Sequence, residues 1–149
     1  LDEALISNHF EIEDNVIPAS NSVMASNLFK LSIYFDNSHY EEISRQMVSQ
    51  IIPSIDYPSA FSNWLIAAMH FSDYQKELAI CGEASLVHLK EINQNYFPSV
   101  LLAGNKKKSD LPFLQNRFVE NETIFYLCQN KLCLAPKNTI SEVYKDLNY

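Results

Sequence analysis

Glycine is almost missing, with two residues in a chain of 149. Neither Gly82 nor Gly104 opens a G-x-G-x-x-G or P-loop pattern, and Gly82-Glu83-Ala84-Ser85 would set an acidic side chain against a pyrophosphate. No G-x-S-x-G elbow is present either, so no nucleotide or other cofactor is expected. Positive charge is also short: 11 Lys and Arg face 18 Asp and Glu, leaving a net charge of −7. That balance argues against nucleic acid as a partner, because no basic surface is large enough to release many phosphate counterions. Long apolar runs are absent, and nothing approaches the roughly 18 to 20 residues that span a bilayer, so no membrane partner is expected. Cysteine is limited to Cys81, Cys128 and Cys133. The four histidines, His9, His39, His70 and His88, form no H-x3-H or H-E-x-x-H pair, so metal binding has no support in the pattern. What remains is an apolar fraction of 47%, that of a globular chain rather than a disordered one. The length suffices to bury a core.

Two halves emerge along the chain, a helical segment over 1–74 and a small α/β unit over 75–149. The first 17 residues are acidic and lack periodicity, and Pro18 disfavours helix at Ile17. Ser20-Asn21-Ser22 is a run of good N-cap residues. Met24, Leu28, Leu31 and Phe35 then follow as one helical stripe. Ser38 and Glu41 have capping-box spacing, and Ile43, Met47, Ile51 and Ile55 give a second stripe that Pro53 must end or kink. Phe61, Trp64, Leu65, Ala68 and Phe71 mark a third helix. Three helices with short links predict an antiparallel array. Such an array leaves an apolar face without a partner, which fits a piece of a larger helical assembly.

The period changes near residue 76. Glu77 to Cys81 and Ser99 to Ala103 read as buried strands closed by Gly82 and Gly104, and the stretch between them has helical spacing. Strand, helix, strand predicts a βαβ unit with parallel strands. Asn105 to Asn121 reads as a surface loop, Thr123 to Leu127 as a third strand, and Ile140 to Leu147 as a terminal helix. A turn at Asn130-Lys131 would set Gln129 opposite Leu132 and Cys128 opposite Cys133, as a four-residue loop also would for the cysteines.

Few residues suggest chemistry. Cys81 reads as a small buried hydrophobe. Cys128 and Cys133, spaced C-x4-C, match neither a redox C-x2-C nor a complete zinc pattern. Two reduced packing cysteines is the first reading, and a switchable pair the competing one. The acidic segment Glu11-Ile12-Glu13-Asp14 lies before the polar helix start at Ser20-Asn21-Ser22, and His9 lies close to it. Carboxylates beside free helix amides suit polar ligands or sugar hydroxyls; solvated carboxylates and simple caps are the plainer alternative.

Three segments, in order, resemble one family. Glu11 to Ala25 resembles its D-x-A-x-P-S-G-N-S-x-A segment, Lys76 to Gly82 its P-x-E-V-V-I-x-G strand, and Tyr126 to Pro136 its C-x4-C-x2-P tail. These are the thioredoxin-domain-containing proteins of the YyaL / spermatogenesis-associated protein 20 type, also called the DUF255 family. Where the family's segment carries serine and glycine, Ala19 and Ser20 stand here. The resemblance implies a fold of mixed α and α/β class: the C-terminal helices of an (α/α)6 toroid, similar to N-acylglucosamine 2-epimerases, then a small βαβ-containing extension. It implies that Asp14, Ser20, Asn21 and Ser22 face a central cavity, and that the thioredoxin domain belongs to another part of the parent chain. The expected function is binding or modification of a carbohydrate-like ligand by that parent, in the cytoplasm. A thiol-linked role for Cys128 and Cys133, or a non-catalytic assembly module, are the alternatives. Expected partners are the remainder of the parent chain and, in its absence, a second copy. The absence of an initiator Met and of a signal-peptide pattern reads as a fragment or processed piece.

Overall fold

The computed structural model describes residues 11–14, 16–72 and 75–147; His9 lies outside the described residues. Among them are five α-helices and one four-stranded mixed sheet, so the mixed α and β class holds. Helix α1 spans Ser20–Tyr34, α2 Ser38–Ile51 and α3 Ser62–Met69. Strand β1 (Lys76–Cys81), helix α4 (Ser85–Ile92) and strand β2 (Val100–Asn105) follow, then β3 (Ile124–Gln129), β4 (Leu132–Cys133) and α5 (Ile140–Leu147). No helix of the described residues is long and apolar enough to cross a membrane.

In the helical half, the break at Pro53 is as the sequence requires. α2 stops at Ile51 and gives way to a single 3-10 turn, because proline has no N–H to continue the ladder. The cap of α2 differs by one residue from the capping-box reading. Asn37 accepts the His39 and Tyr40 amides on its Oδ1, while Glu41 turns to Arg45 one helical turn on, at 2.9 Å. The stripe of α1 is a larger correction. Met24, Leu31 and Phe35 are exposed, and the buried face is instead Ser22, Ala25, Phe29 and Ser32. Small residues bring α1 close to α2, where the Ser44 hydroxyl donates to the Ala25 carbonyl at 2.7 Å. Trp64, Phe61, Ala67, Val48 and Ala25 form the core of this half.

β1 is the centre of the sheet, whose order is β2-β1-β3-β4, and all six of its residues are buried. It pairs parallel with β2 and antiparallel with β3, so the βαβ expectation is met. Gly104 lies within β2 opposite Ile80 rather than after the strand. A Cβ there would come within 2.8 Å of Leu89 on α4, so the residue allows close helix–sheet packing. Gly82 does end β1, with φ of +136°, and a Cβ would sit 2.0 Å from the Glu122 carbonyl oxygen.

The β3–β4 hairpin closes through Asn130 and Lys131, both with positive φ, as a two-residue turn of that twist needs. Cys128 therefore faces Cys133. The Leu134 amide bonds the Leu127 carbonyl, which makes the cysteine couple a non-hydrogen-bonded pair, the kind whose backbones approach most closely. The two sulfurs are joined in a disulfide, where the sequence pointed first to a reduced pair. Cys81 is fully buried and free, and burial raises its thiol to about 11, as expected of a packing residue.

The segment after β2 runs over the surface, yet Phe113 and Leu114 turn inward. They pack with Ala79 and Cys81 of the sheet and with Ile33 and Tyr34 of α1. The Tyr34 hydroxyl donates to the Leu102 carbonyl at 3.0 Å, so this small cluster ties the helices to the sheet.

Candidate functional site between the helices and the sheet

Of the residues singled out from sequence, Asp14 is 5% exposed and bound within the chain. Its Oδ1 accepts the Ala19 amide and the Ser22 hydroxyl, each at 2.9 Å, and its Oδ2 accepts the Asn63 amide at 2.8 Å. Asn63 is in the first turn of α3, so one remote carboxylate closes the start of two helices. Around it the Asp14 amide donates to the Ala60 carbonyl and the Trp64 indole to the Ile12 carbonyl, both at 2.7 Å. Burial by itself would raise the Asp14 carboxyl, but the bonds from Ala19, Asn63 and Ser22 outweigh it and the net shift is downward. Ser22 is fully buried and Asn21 donates to the Glu11 carbonyl at 2.9 Å; Ser20 is exposed. The arrangement is a structural clamp that joins the starts of α1 and α3.

None of Asp14, Ser20, Asn21 and Ser22 lines the cleft of about 440 Å³ that opens where the helical half meets the sheet. Its walls come from the C-terminal end of α1, the start of α2, the residues after α3, the middle of the chain around Phe113, and the hairpin turn. Glu77 of β1 belongs to the wall and is 6% exposed. Burial raises its carboxyl, and the Lys131 amide with the charges of Arg117 and Lys131 offsets part of that. Glu77 is the register partner of Cys128, so a buried acid and a disulfide occupy adjacent strands.

Arg117 stands over the Phe113 and Tyr126 rings, 5.3 and 5.5 Å from their centroids. Its Nη2 lies 3.8 Å from the Cys133 sulfur, and its Nη1 is buried without a partner among the described residues. His70 stacks on Phe29 with ring centres 4.9 Å apart. Gln75 directs its amide NH2 to the Lys76 and Ser99 carbonyls, which leaves its Oε1 facing His70 Nδ1 at 2.9 Å. Nδ1 therefore carries the proton, and Nε2 is buried and without a partner among the described residues. Burial lowers the His70 ring below its ordinary value, so it is neutral at pH 7.

Other charges on these walls are already matched. Lys131 pairs with Asp36 at 2.5 Å, and Arg45 pairs with Glu41 at 2.9 Å while lying 4.4 Å over the Phe71 ring. The site draws one to three residues from each of several distant segments, so no spacing in the sequence could announce it. One signal was available: Glu77 is a charge inside a strand that is otherwise apolar after Lys76. No protein-family model matches the chain, and no curated protein matches it.

Proposed function

We propose that this chain is the C-terminal portion of a cytoplasmic protein of the YyaL / spermatogenesis-associated protein 20 type. In this reading α1, α2 and α3 end an (α/α)6 toroid whose parent binds or modifies a carbohydrate-like ligand, and the sheet is its extension. The observation that carries the reading is the outward face of α1. Met24 and Phe35 are 52% and 53% exposed there, beside Val23 and Leu31. A toroid packs helical hairpins side by side, so the remaining helices of the parent would cover this face. The cleft supports the ligand class, since aromatic rings and a few polar groups converge in it. Titrating the chain with a panel of neutral and acidic monosaccharides, followed by NMR, should shift resonances of the cleft walls. Silence across the panel overturns the carbohydrate reading.

The disulfide favours a second reading, a thiol-linked role. Cys133 is exposed and Cys128 buried, so an incoming thiolate reaches the first sulfur more readily. In a cytoplasmic setting a disulfide is most often transient and redox-sensing. Thiol counting in denaturant should find one free thiol, that of Cys81, without reductant and three with it. Three free thiols under oxidising conditions would overturn this reading.

A further inference from the structure

We propose that the Cys128–Cys133 disulfide is a redox latch on the cleft, opened by a small-molecule thiol that attacks the Cys133 sulfur. Its opening frees the Asn130–Lys131 turn from Glu77 and from the helical half. This rests on the thiol-linked reading above and names its co-reactant and its effect.

Access decides which sulfur is attacked. Cys133 is exposed on β4, whereas Cys128 is 2% exposed on β3. A thiolate RS− at the Cys133 sulfur forms an RS–S bond there and breaks the bond to Cys128, whose sulfur leaves with the electron pair. That sulfur is buried, with Glu77 as its register partner, so it takes a proton from water and ends as the thiol. A second thiolate then attacks the outer sulfur of the mixed disulfide, releasing RS–SR and the Cys133 thiolate. Arg117 Nη2, 3.8 Å from the Cys133 sulfur, favours that thiolate as leaving group. Two small thiols are oxidised to one disulfide, and the protein disulfide is reduced to two thiols.

The hairpin is short enough for one covalent bond to decide its place. β4 has two residues, both exposed, at the end of the sheet order, so it buries little. Both turn residues have positive φ, +51° at Asn130 and +65° at Lys131, a region that the lysine side chain disfavours. Such a turn persists where its surroundings impose it, and the disulfide clamps the strands directly beyond the Gln129–Leu132 couple.

The turn is also a wall of the cleft. The Lys131 amide donates to the Glu77 carboxyl, and the Lys131 ammonium pairs with Asp36 just after α1. That ion pair is exposed on both sides, so it is a weak tether once the bond is gone. Opening the disulfide therefore takes a donor from Glu77, a cation from Asp36 and one wall from the cleft.

The test has two arms, both on the full chain. Incubated with oxidised glutathione, Cys128→Ser should carry the adduct on Cys133 in a peptide map, and Cys133→Ser should leave Cys128 unmodified. In the wild-type chain reduced by glutathione, amide hydrogen exchange should accelerate at least about tenfold at Lys131 and Leu134, the scale of what a short cross-linked loop withholds from the open ensemble. Ala79 and Ile80 in β1 should keep their rates. Modification of Cys128 as readily as Cys133 overturns the proposal, as does a disulfide that glutathione leaves closed. Unchanged exchange at Lys131 and Leu134 overturns it while the thiol-linked reading stands. Acceleration through β1 as well overturns it, since the bond is then a staple of the whole fold. Three free thiols under oxidising conditions overturn both.

Discussion

Asp14 in the helical half and Glu77 in the sheet half are 5% and 6% exposed, yet their carboxyl groups shift in opposite directions. Burial penalises the charged form of both. Asp14 is met by two backbone amides and a hydroxyl, enough to lower it despite burial. Glu77 has one backbone amide and two nearby cations, and burial prevails. The state of a buried acid therefore depends on how densely it is surrounded and on the donors aimed at it together. The donors also separate the roles. The Asp14 carboxylate, with both oxygens in use, holds helices together, whereas Glu77 lies in the wall of a cleft.

The strongest way to break this contrast is Asp14→Asn. It puts an NH2 where a backbone or hydroxyl donor now finds an oxygen, and should cost about 2 to 4 kcal/mol in denaturant unfolding. Its acid limb should also flatten. The folded Asp14 carboxyl lies below its ordinary 3.8, so it contributes stability above that pH which is lost as pH falls through the folded value. A loss under about 0.5 kcal/mol would mean the clamp is ornamental. Asn37→Ala sharpens the comparison from the same half, because there the cap comes from a neighbouring side chain and orders no remote segment. Urea unfolding should show a loss of about 1 kcal/mol.

Glu77→Gln should have the smallest effect and the opposite sign. The folded carboxyl lies above its ordinary 4.5, so Glu77 stabilises fully below that pH and loses its contribution as pH rises through the folded value. The variant should thus gain on the wild type between pH 4 and pH 7, followed by thermal unfolding across that range. A relative loss over that interval would show that the carboxylate is satisfied after all.

Much of the fold is legible locally. Pro53 ends α2, Asn130-Lys131 turns the hairpin, and the apolar run after Glu77 is the central strand. Each follows from backbone sterics or strand burial within a few residues. The stripe Met24-Leu31-Phe35 misleads because periodicity reveals that a helix has an apolar face but not which neighbour covers it. Here Ser22, Ala25, Phe29 and Ser32 face inward, since small side chains let α1 approach α2. The site was less legible still. The sequence shows Asp14 as a carboxylate near helix amides, but its partners include Asn63, 49 residues away.

By itself the sequence determined the order of helices and strands, the parallel βαβ pair and the opposition of Cys128 and Cys133, because these follow from local periodicity, from one helical crossover between consecutive strands, and from a single turn. Only the tertiary structure decided that Asp14 is a clamp and that Glu77, Arg117 and His70 share a cleft. Those roles depend on how many donors and charges distant segments bring to one buried group, and no local pattern carries that count.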